Sequence, residues 1–208
     1  MEAPAAHIPV LLEETVARLV PPERRGAGFC GKWFIDGTAG AGGHSAAILD
    51  AAGEGARLLA LDRDGDAVEL AKQRLERFGE RAVVVRAEFS EMGEVARRMG
   101  IGEVAGVLLD LGVSSMQLDR AERGFGFMKE GPLDMRMDVR QAETAGTLLA
   151  RAEEGELERI FREYGEEPAA RRVAKAIAEA HKGSIHAESE DGKSLTVKVE
   201  LPLSIRNS

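Results

Sequence analysis

Four short apolar runs alternate with segments of helical periodicity along the first half of the chain, and this alternation constrains the fold more than any other feature. Each run has the length of a buried strand. Strands and helices in this order require a parallel sheet with helical crossovers. The strands are predicted in "KWFIDG", "ARLLALDRD", "RAVVVRAEF" and "VAGVLLDLGVSS". The sequence therefore predicts an α/β fold of the doubly wound, Rossmann-like class.

The segments between these strands are predicted to be helical at 11–19, 44–52 and 66–78, and from Ser90, a predicted N-cap, to Gly100. From about Val113 the pattern changes to a stretch rich in Gly, Arg, Asp and Met without clear periodicity. Helical patterns then follow at 144–152, at 153–164 with apolar Leu157, Ile160, Phe161 and Tyr164, and at 167–181. We therefore predict an α-helical lobe after the fourth strand.

Composition excludes several classes of protein. The chain has 208 residues, a single cysteine (Cys30) and no paired Cys/His spacing typical of structural zinc. No apolar run approaches the roughly 20 residues of a membrane span, and the N-terminus lacks the pattern of a signal peptide. We expect a cytoplasmic protein without a metal. The net charge of −8 disfavours general attraction to nucleic acid, although many basic residues lie between Arg120 and Lys182.

Distinctive residues follow the predicted strands, where ligands of such sheets bind. Four glycines lie between Asp36 and His44. They form neither a P-loop nor an in-register dinucleotide fingerprint, so a plain turn and a ligand site both remain open. Asp62 ends the second strand, where a carboxylate can accept hydrogen bonds from ribose hydroxyls of either NAD or S-adenosylmethionine. Phe89 is equally suited to packing on adenine and to the core.

Asp110 distinguishes between these two ligands. It closes the predicted fourth strand, beside the place where the reactive end of a methyl donor would lie. Methylation of an exocyclic amine needs an acceptor that orients the NH2 group and localises its lone pair on nitrogen. A dehydrogenase has no such need, so a nucleotide-dependent oxidoreductase is the weaker alternative.

Five segments together resemble the bacterial 16S ribosomal RNA (cytosine-N4)-methyltransferase family. They are "HIPVLLEETV", "DGTAGAGGHS", "ALDRD", "LLDLGVSSMQLDRAERGFGFMKEGPLDMRMD" and "IFREYGEEPAARRVAKAI", in the family's order from about residue 7 to 180. The resemblance implies an S-adenosylmethionine methyltransferase sheet that acts on the N4 amine of a cytosine in 16S rRNA of the small ribosomal subunit. The donor would be held by Gly42, Gly43, His44, Asp62, Phe89, Asp110 and Gln117. Asp110 is also the predicted catalytic residue, and His44 is assigned to binding only.

The same resemblance makes the helical lobe the part that holds RNA. Two aromatic and three basic residues suit base stacking and phosphate contact: Arg123, Phe125, Phe127, Lys129 and Arg136. A plain surface loop is the alternative. The predicted domains are a donor-binding domain (1–115), an RNA-recognition lobe (116–182) and a tail (183–208). The oligomeric state is left open, a homodimer included.

The tail departs from the family, so we expect a sheet that is incomplete at its C-terminal strands. It resembles the closing hairpin of the ATP-binding domain of sensor histidine kinases, but the ATP-binding boxes have no counterpart, and no kinase activity is assigned. Alternation around Asp191-Gly192 predicts a β-hairpin with Leu195, Val197, Val199 and Leu201 on one face. Two interpretations remain: a methyltransferase whose tail covers the sheet edge, or an inactive remnant that binds nucleoside or ribosome.

Overall fold

The structure, a computed structural model, describes residues 9–179 and two short strands, Ser184–Glu188 and Thr196–Glu200. The chain forms two compact units. The first comprises the chain up to Gly112 together with Met137–Val139, and the second comprises Val113–Arg136 and the chain from Arg140 onward. The boundary predicted between 115 and 116 lies close to this division, and the functions assigned to the predicted domains remain predictions.

Four parallel strands form the sheet of the first unit, in the order β3-β2-β1-β4. They are β1 (Trp33–Asp36), β2 (Arg57–Asp62), β3 (Ala82–Arg86) and β4 (Val104–Leu108). In the register of the sheet, Ile35 of β1 lies opposite Leu59 of β2 and Val107 of β4. The chain moves outward from β1 to β3 and then returns to the other side of β1. This reversal is the mark of the doubly wound arrangement, so the predicted fold class is confirmed.

Four helices flank this sheet: α1 (Leu12–Leu19), α2 (Gly43–Ala52), α3 (Gly65–Leu75) and α4 (Met92–Arg98). Successive strand residues belong to different apolar clusters. Phe34 packs in a cluster with Ile48 of α2, whereas Ile35 packs in another with Val95 of α4. Because neighbouring side chains of a strand point to opposite faces, both faces of the sheet are buried, as parallel sheets require.

The start of α4 differs from the prediction. Ser90 lies inside a 3₁₀ turn, Phe89–Glu91, which is closed by a capping box between Glu88 and Glu91. The Glu88 amide donates to the Glu91 carboxylate at 2.8 Å, and the Ser90 hydroxyl donates to the Glu88 carboxylate at 3.4 Å. The predicted N-cap role of Ser90 is therefore wrong, because the glutamates on either side of it make the cap.

The second unit contains α5 (Ser115–Asp119), α6 (Ala145–Arg151), α7 (Glu154–Glu163) and α8 (Ala170–Glu179). The three predicted helical patterns are confirmed by α6, α7 and α8. Leu157 of α7 and Ala174 and Ile177 of α8 are buried in one cluster. Tyr164 does not share this face: it follows the end of α7 and is 75% exposed.

The two tail strands, β5 (Ser184–Glu188) and β6 (Thr196–Glu200), pair with each other antiparallel, with Ile185 opposite Val199. They form a two-stranded sheet of their own. The predicted turn at 191–192 and the predicted face residues Leu195 and Leu201 lie outside the described residues.

Met137–Val139 belong to the first unit, to which an ion pair ties them. The Asp138 carboxylate is buried and accepts a hydrogen bond of 2.8 Å from Nη2 of Arg86, the last residue of β3. Nε of the same guanidinium donates to the Arg63 carbonyl at 3.2 Å. One arginine therefore joins β3, the turn after β2 and this returning segment.

Replacing Arg86 by Met should lower the free energy of unfolding by about 1–2 kcal/mol, because a charged hydrogen bond to a buried carboxylate is lost from a partly exposed site. Arg98→Met is a matched control, since Arg98 is an exposed arginine whose pair with Glu94 spans 3.8 Å. It should change stability by less than about 0.5 kcal/mol. Urea denaturation of both variants measures the difference, and equal effects would contradict the anchoring role of Arg86.

Candidate active site

A buried carboxylate organises the carboxyl end of β1. Asp36 has no exposed surface. Its carboxylate accepts hydrogen bonds from the Ser45 hydroxyl of α2 at 2.6 Å and from the Thr38 amide at 3.1 Å. Burial raises the pKa of Asp36, and these two hydrogen bonds oppose that rise. The carboxylate thus joins the strand, the turn that follows it and the helix after the turn.

Asp62 plays a similar part at the end of β2. One oxygen accepts a hydrogen bond from the Gly40 amide at 2.8 Å, and the other accepts one from the Asp64 amide at 2.9 Å. A carboxylate offers about four lone-pair positions, so acceptor capacity remains for hydroxyl groups of a ligand. Burial raises the pKa of Asp62, and the two amides oppose it. The cap of α3 is made by Asp64, which accepts from the Asp66 amide at 3.1 Å.

The glycines of the turn answer different needs. Gly42 has φ +76° and caps α2, and a Cβ there would lie 3.2 Å from the backbone of Ala71 in α3. Gly43 is the first residue of α2. Gly40 also has positive φ (+52°), but a Cβ would meet no atom of the described residues within 4 Å. A glycine at position 42 therefore allows α2 to pack closely against α3. The space beside Gly40 is open among the described residues, and a ligand can occupy it.

Asp110 lies two residues beyond the end of β4, rather than closing the strand as predicted. Its amide donates to the Thr38 hydroxyl at 2.7 Å, and its side chain is 61% exposed. His44, in the first turn of α2, places Nδ1 at 3.8 Å from the Asp110 carboxylate. The imidazole is buried, and within the described residues its Nε2 has no hydrogen-bond partner. The structure thus brings His44 and Asp110 together at the switch between β1 and β4.

Phe89 also reaches this end of the sheet. It follows β3, is 39% exposed and approaches the turn after β1. A Cβ on Gly37 would lie 3.1 Å from Cβ of Phe89 and 2.6 Å from the Leu109 side chain. A larger residue at this position would therefore require the Leu109 side chain and Phe89 to shift. The predicted donor residues of the first unit gather around this turn.

Gln117 belongs to the second unit. Its side chain is buried and completes a capping box at the start of α5, where it accepts from the Ser114 amide at 3.0 Å. The Gln117 amide in turn donates to the Ser114 hydroxyl at 3.2 Å. The sequence did not predict this local role, and a contact between Gln117 and a donor remains a prediction.

The five predicted RNA-binding residues differ in exposure. Arg123 is buried, and its guanidinium donates to the Arg136 carbonyl at 3.0 Å, so it holds the loop together. The Arg136 guanidinium hydrogen-bonds the Asp134 carboxylate at 2.7 and 2.9 Å, which lowers the pKa of Asp134. Phe125 is half-buried. Phe127 and Lys129 are exposed, and the Lys129 ammonium donates to the Asp119 carbonyl.

Sequence reasoning noted Asp36 but missed the roles of Thr38 and Ser45. The signal was present in "DGT": an Asp that ends a buried strand commonly accepts a hydrogen bond from the amide two residues on. The Ser45 contact depends on the entry of α2 and has no local signal. A cavity of about 390 Å³ beside the start of α3, lined by residues that include Asp64, Lys72, Arg86 and Val139, contains none of the predicted site residues.

Together, the reversed strand order, the glycine turn, Asp62 at the end of β2 and Asp110 in the loop after β4 define an α/β domain of the Rossmann-like class. The model of the MraW methylase family matches residues 4–201, and the chain belongs to that family. No described helix is long and apolar enough to cross a membrane.

The relatives carry a common name. Ribosomal RNA small subunit methyltransferase H of Syntrophus aciditrophicus is 48% identical over 85% of this chain and 54% of its own length. The protein of that name from Anaeromyxobacter sp. is 50% identical over 86% of this chain and 54% of its own. The chain thus spans about half the length of these curated relatives. A solved structure described as an rRNA-methylase, from Clostridium thermocellum, has a TM-score of 0.34 at 18% identity over 42% of this chain and 48% of that chain, too slight to carry an argument.

Asp36→Asn should alter how stability depends on pH. Because the folded pKa of Asp36 is raised, its contribution to stability is fully present below the ordinary value of 3.8 and is lost as pH rises through the folded pKa. The stability of the wild type relative to Asp36→Asn should therefore fall from pH 4 towards neutral pH. Urea denaturation of both proteins over this range measures the trend.

Ser45→Ala provides the companion variant. It removes a hydrogen bond that stabilises the ionised carboxylate, so its loss of stability should grow with pH. A difference between wild type and Asp36→Asn that does not change with pH would contradict this assignment.

Proposed function

We propose that the chain binds S-adenosylmethionine at the carboxyl end of its sheet and methylates the N4 amine of a cytosine in 16S rRNA. The observation that best supports this is the meeting of Asp110 and His44 beside the glycine turn, within one compact unit. Family membership and the names of the relatives support the class of reaction. The cytosine N4 specificity rests on the sequence resemblance and on the chemistry of Asp110.

The residues present fit a nucleoside methyl donor. Asp62 retains acceptor capacity after binding two backbone amides, which suits ribose hydroxyls. The space beside Gly40 is open among the described residues, and the buried Nε2 of His44 has no hydrogen-bond partner among them. Phe89 offers a partly exposed ring near the same turn. When bound, S-adenosylmethionine supplies a methyl group activated by a sulfonium centre.

Asp110 supplies the function that the acceptor amine needs. The N4 lone pair of cytosine is delocalised into the ring, and a hydrogen bond from the amine to a carboxylate favours its localisation on nitrogen. Asp110 is exposed and accepts no hydrogen bond through its side chain from another described residue, so the carboxylate is available to an entering base. A base must leave its stack to reach such a site.

The exposure of Asp110 also favours a second candidate, binding of donor or ribosome without turnover. A carboxylate that is 61% exposed acts in a high dielectric, where its effect on a transition state is weak. The two candidates differ in methyl transfer, which only the first includes.

Asp110→Ala should lower the rate of methyl transfer by about 10²–10³, the typical cost of losing one electrostatic contact in an active site. Donor affinity should fall much less, because Asp110 is one of several residues predicted to hold the donor. Transfer of tritiated methyl to small ribosomal subunits lacking the N4 mark measures activity, and calorimetry measures donor affinity. Glu94→Ala, an exposed change in α4, is the control. Donor binding without transfer by the wild-type chain would favour the second candidate.

Phe127→Ala should weaken binding to a single-stranded 16S rRNA oligonucleotide that contains the target cytosine. Loss of one stacked base costs about 1–3 kcal/mol, or about 5- to 150-fold in affinity. Tyr164→Ala is a matched control, because Tyr164 is also an exposed aromatic residue of the second unit. Fluorescence anisotropy measures both affinities. Equal losses in the two variants would contradict a specific role for Phe127.

A further inference from the structure

The backbone that carries Asp110 is held by one side chain. The Gly37 amide, just after β1, donates to the carbonyl of Leu108, the last residue of β4, at 2.9 Å and so continues the contact between the two strands. The next contact along the loop comes from a side chain: the Asp110 amide donates to the Thr38 hydroxyl at 2.7 Å. The bond from the Asp110 amide to the Thr38 hydroxyl thus extends the contact between β1 and β4 by one hydrogen bond into the loops that follow them.

Thr38 is itself fixed by the end of β1. Its amide donates to the Asp36 carboxylate, which is buried and also accepts the hydroxyl of Ser45 in α2. Three successive hydrogen bonds therefore connect α2, the end of β1 and the loop after β4. All the residues involved belong to the first unit.

The side chain of Asp110 has no comparable support. It is exposed, and its only ion-pair neighbour among the described residues is His44 at 3.8 Å, beyond hydrogen-bond distance. The position of the carboxylate therefore depends on the position of its own backbone. A residue that fixes this backbone decides where the carboxylate meets a substrate.

We propose that Thr38 is the positioning residue for Asp110: its hydroxyl fixes the loop after β4 and so aims the Asp110 carboxylate. The consequence for catalysis rests on the proposed function, in which Asp110 orients the amine that accepts the methyl group. Thr38 is outside the set of residues that the sequence predicted for the donor pocket. Its effect is exerted through Asp110, and it is expected to change kcat more than the affinity for the donor.

Thr38→Val tests this role, because valine keeps the shape of threonine and lacks the acceptor oxygen. The amide of Asp110 should exchange with solvent about 2- to 10-fold faster, which corresponds to the loss of one ordinary hydrogen bond. The kcat for methyl transfer should fall at least about tenfold, since small displacements of a catalytic group have large effects on rate. The donor Kd should change by a smaller factor than kcat does.

Thr38→Ser is the matched control, since serine retains the hydroxyl and loses only the methyl group. Its Asp110 amide exchange should stay within about 1.5-fold of the wild type and its kcat within about threefold, and both ranges lie below the changes expected for valine. Amide exchange by NMR and the separate measurement of kcat and donor Kd distinguish positioning from a general loss of folding.

Unchanged Asp110 exchange in Thr38→Val, or equal losses in the serine and valine variants, would overturn the proposal. A wild-type chain that binds the donor and transfers no methyl group would overturn the proposed function instead. The exchange comparison would then still decide whether Thr38 positions Asp110, because it requires neither donor nor RNA.

Discussion

The buried carboxylate of Asp36 is the interaction on which the candidate site depends. It lies at the end of β1, which is flanked in the sheet by β2 on one side and β4 on the other. By accepting from Ser45 and Thr38, it fixes both the entry of α2 and the turn from which Asp110 is held. Its burial has an energetic cost, which the raised pKa expresses, and the hydrogen bonds offset part of that cost. A carboxylate that is costly to bury in its ionised form thus fixes the turn after β1.

Asp62 shows the same principle at the neighbouring strand. Acidic residues at the ends of parallel strands are often attributed to ligand binding alone, yet here the carboxylate also binds two backbone amides. One of them belongs to Gly40, the glycine whose backbone faces open space. The residue proposed to hold ribose therefore also shapes the turn proposed to lie against the donor. Its structural and binding roles are compatible because a carboxylate accepts several hydrogen bonds at once.

The order of strands and helices was predictable from the sequence, because alternating periodicities and the rules of parallel sheets leave few arrangements for four strands. The approach of Asp62 and Asp110 to one end of the sheet followed from the same rules. Details that depend on packing were not predictable. Ser90 is a reasonable N-cap by residue type, but Glu88 and Glu91 make the capping box. Gln117 completes an S-x-x-Q capping box with Ser114, a short-range pattern that the sequence interpretation missed. Arg123 binds the carbonyl of Arg136, thirteen residues away, and no short-range pattern indicates that contact.

A carboxylate fixed through its backbone but left in water has a particular consequence in the proposed reaction. Preorganisation and desolvation, two contributions to electrostatic catalysis, are then separated. In the proposed reaction, Thr38 provides the preorganisation by fixing the backbone of Asp110, whereas an entering base would provide the desolvation by covering the Asp110 carboxylate. Discrimination between substrates would therefore depend on how completely the base excludes water from this carboxylate. A ligand that contacts Asp110 and leaves it hydrated would bind without gaining the strengthened interaction that the transfer of a methyl group requires.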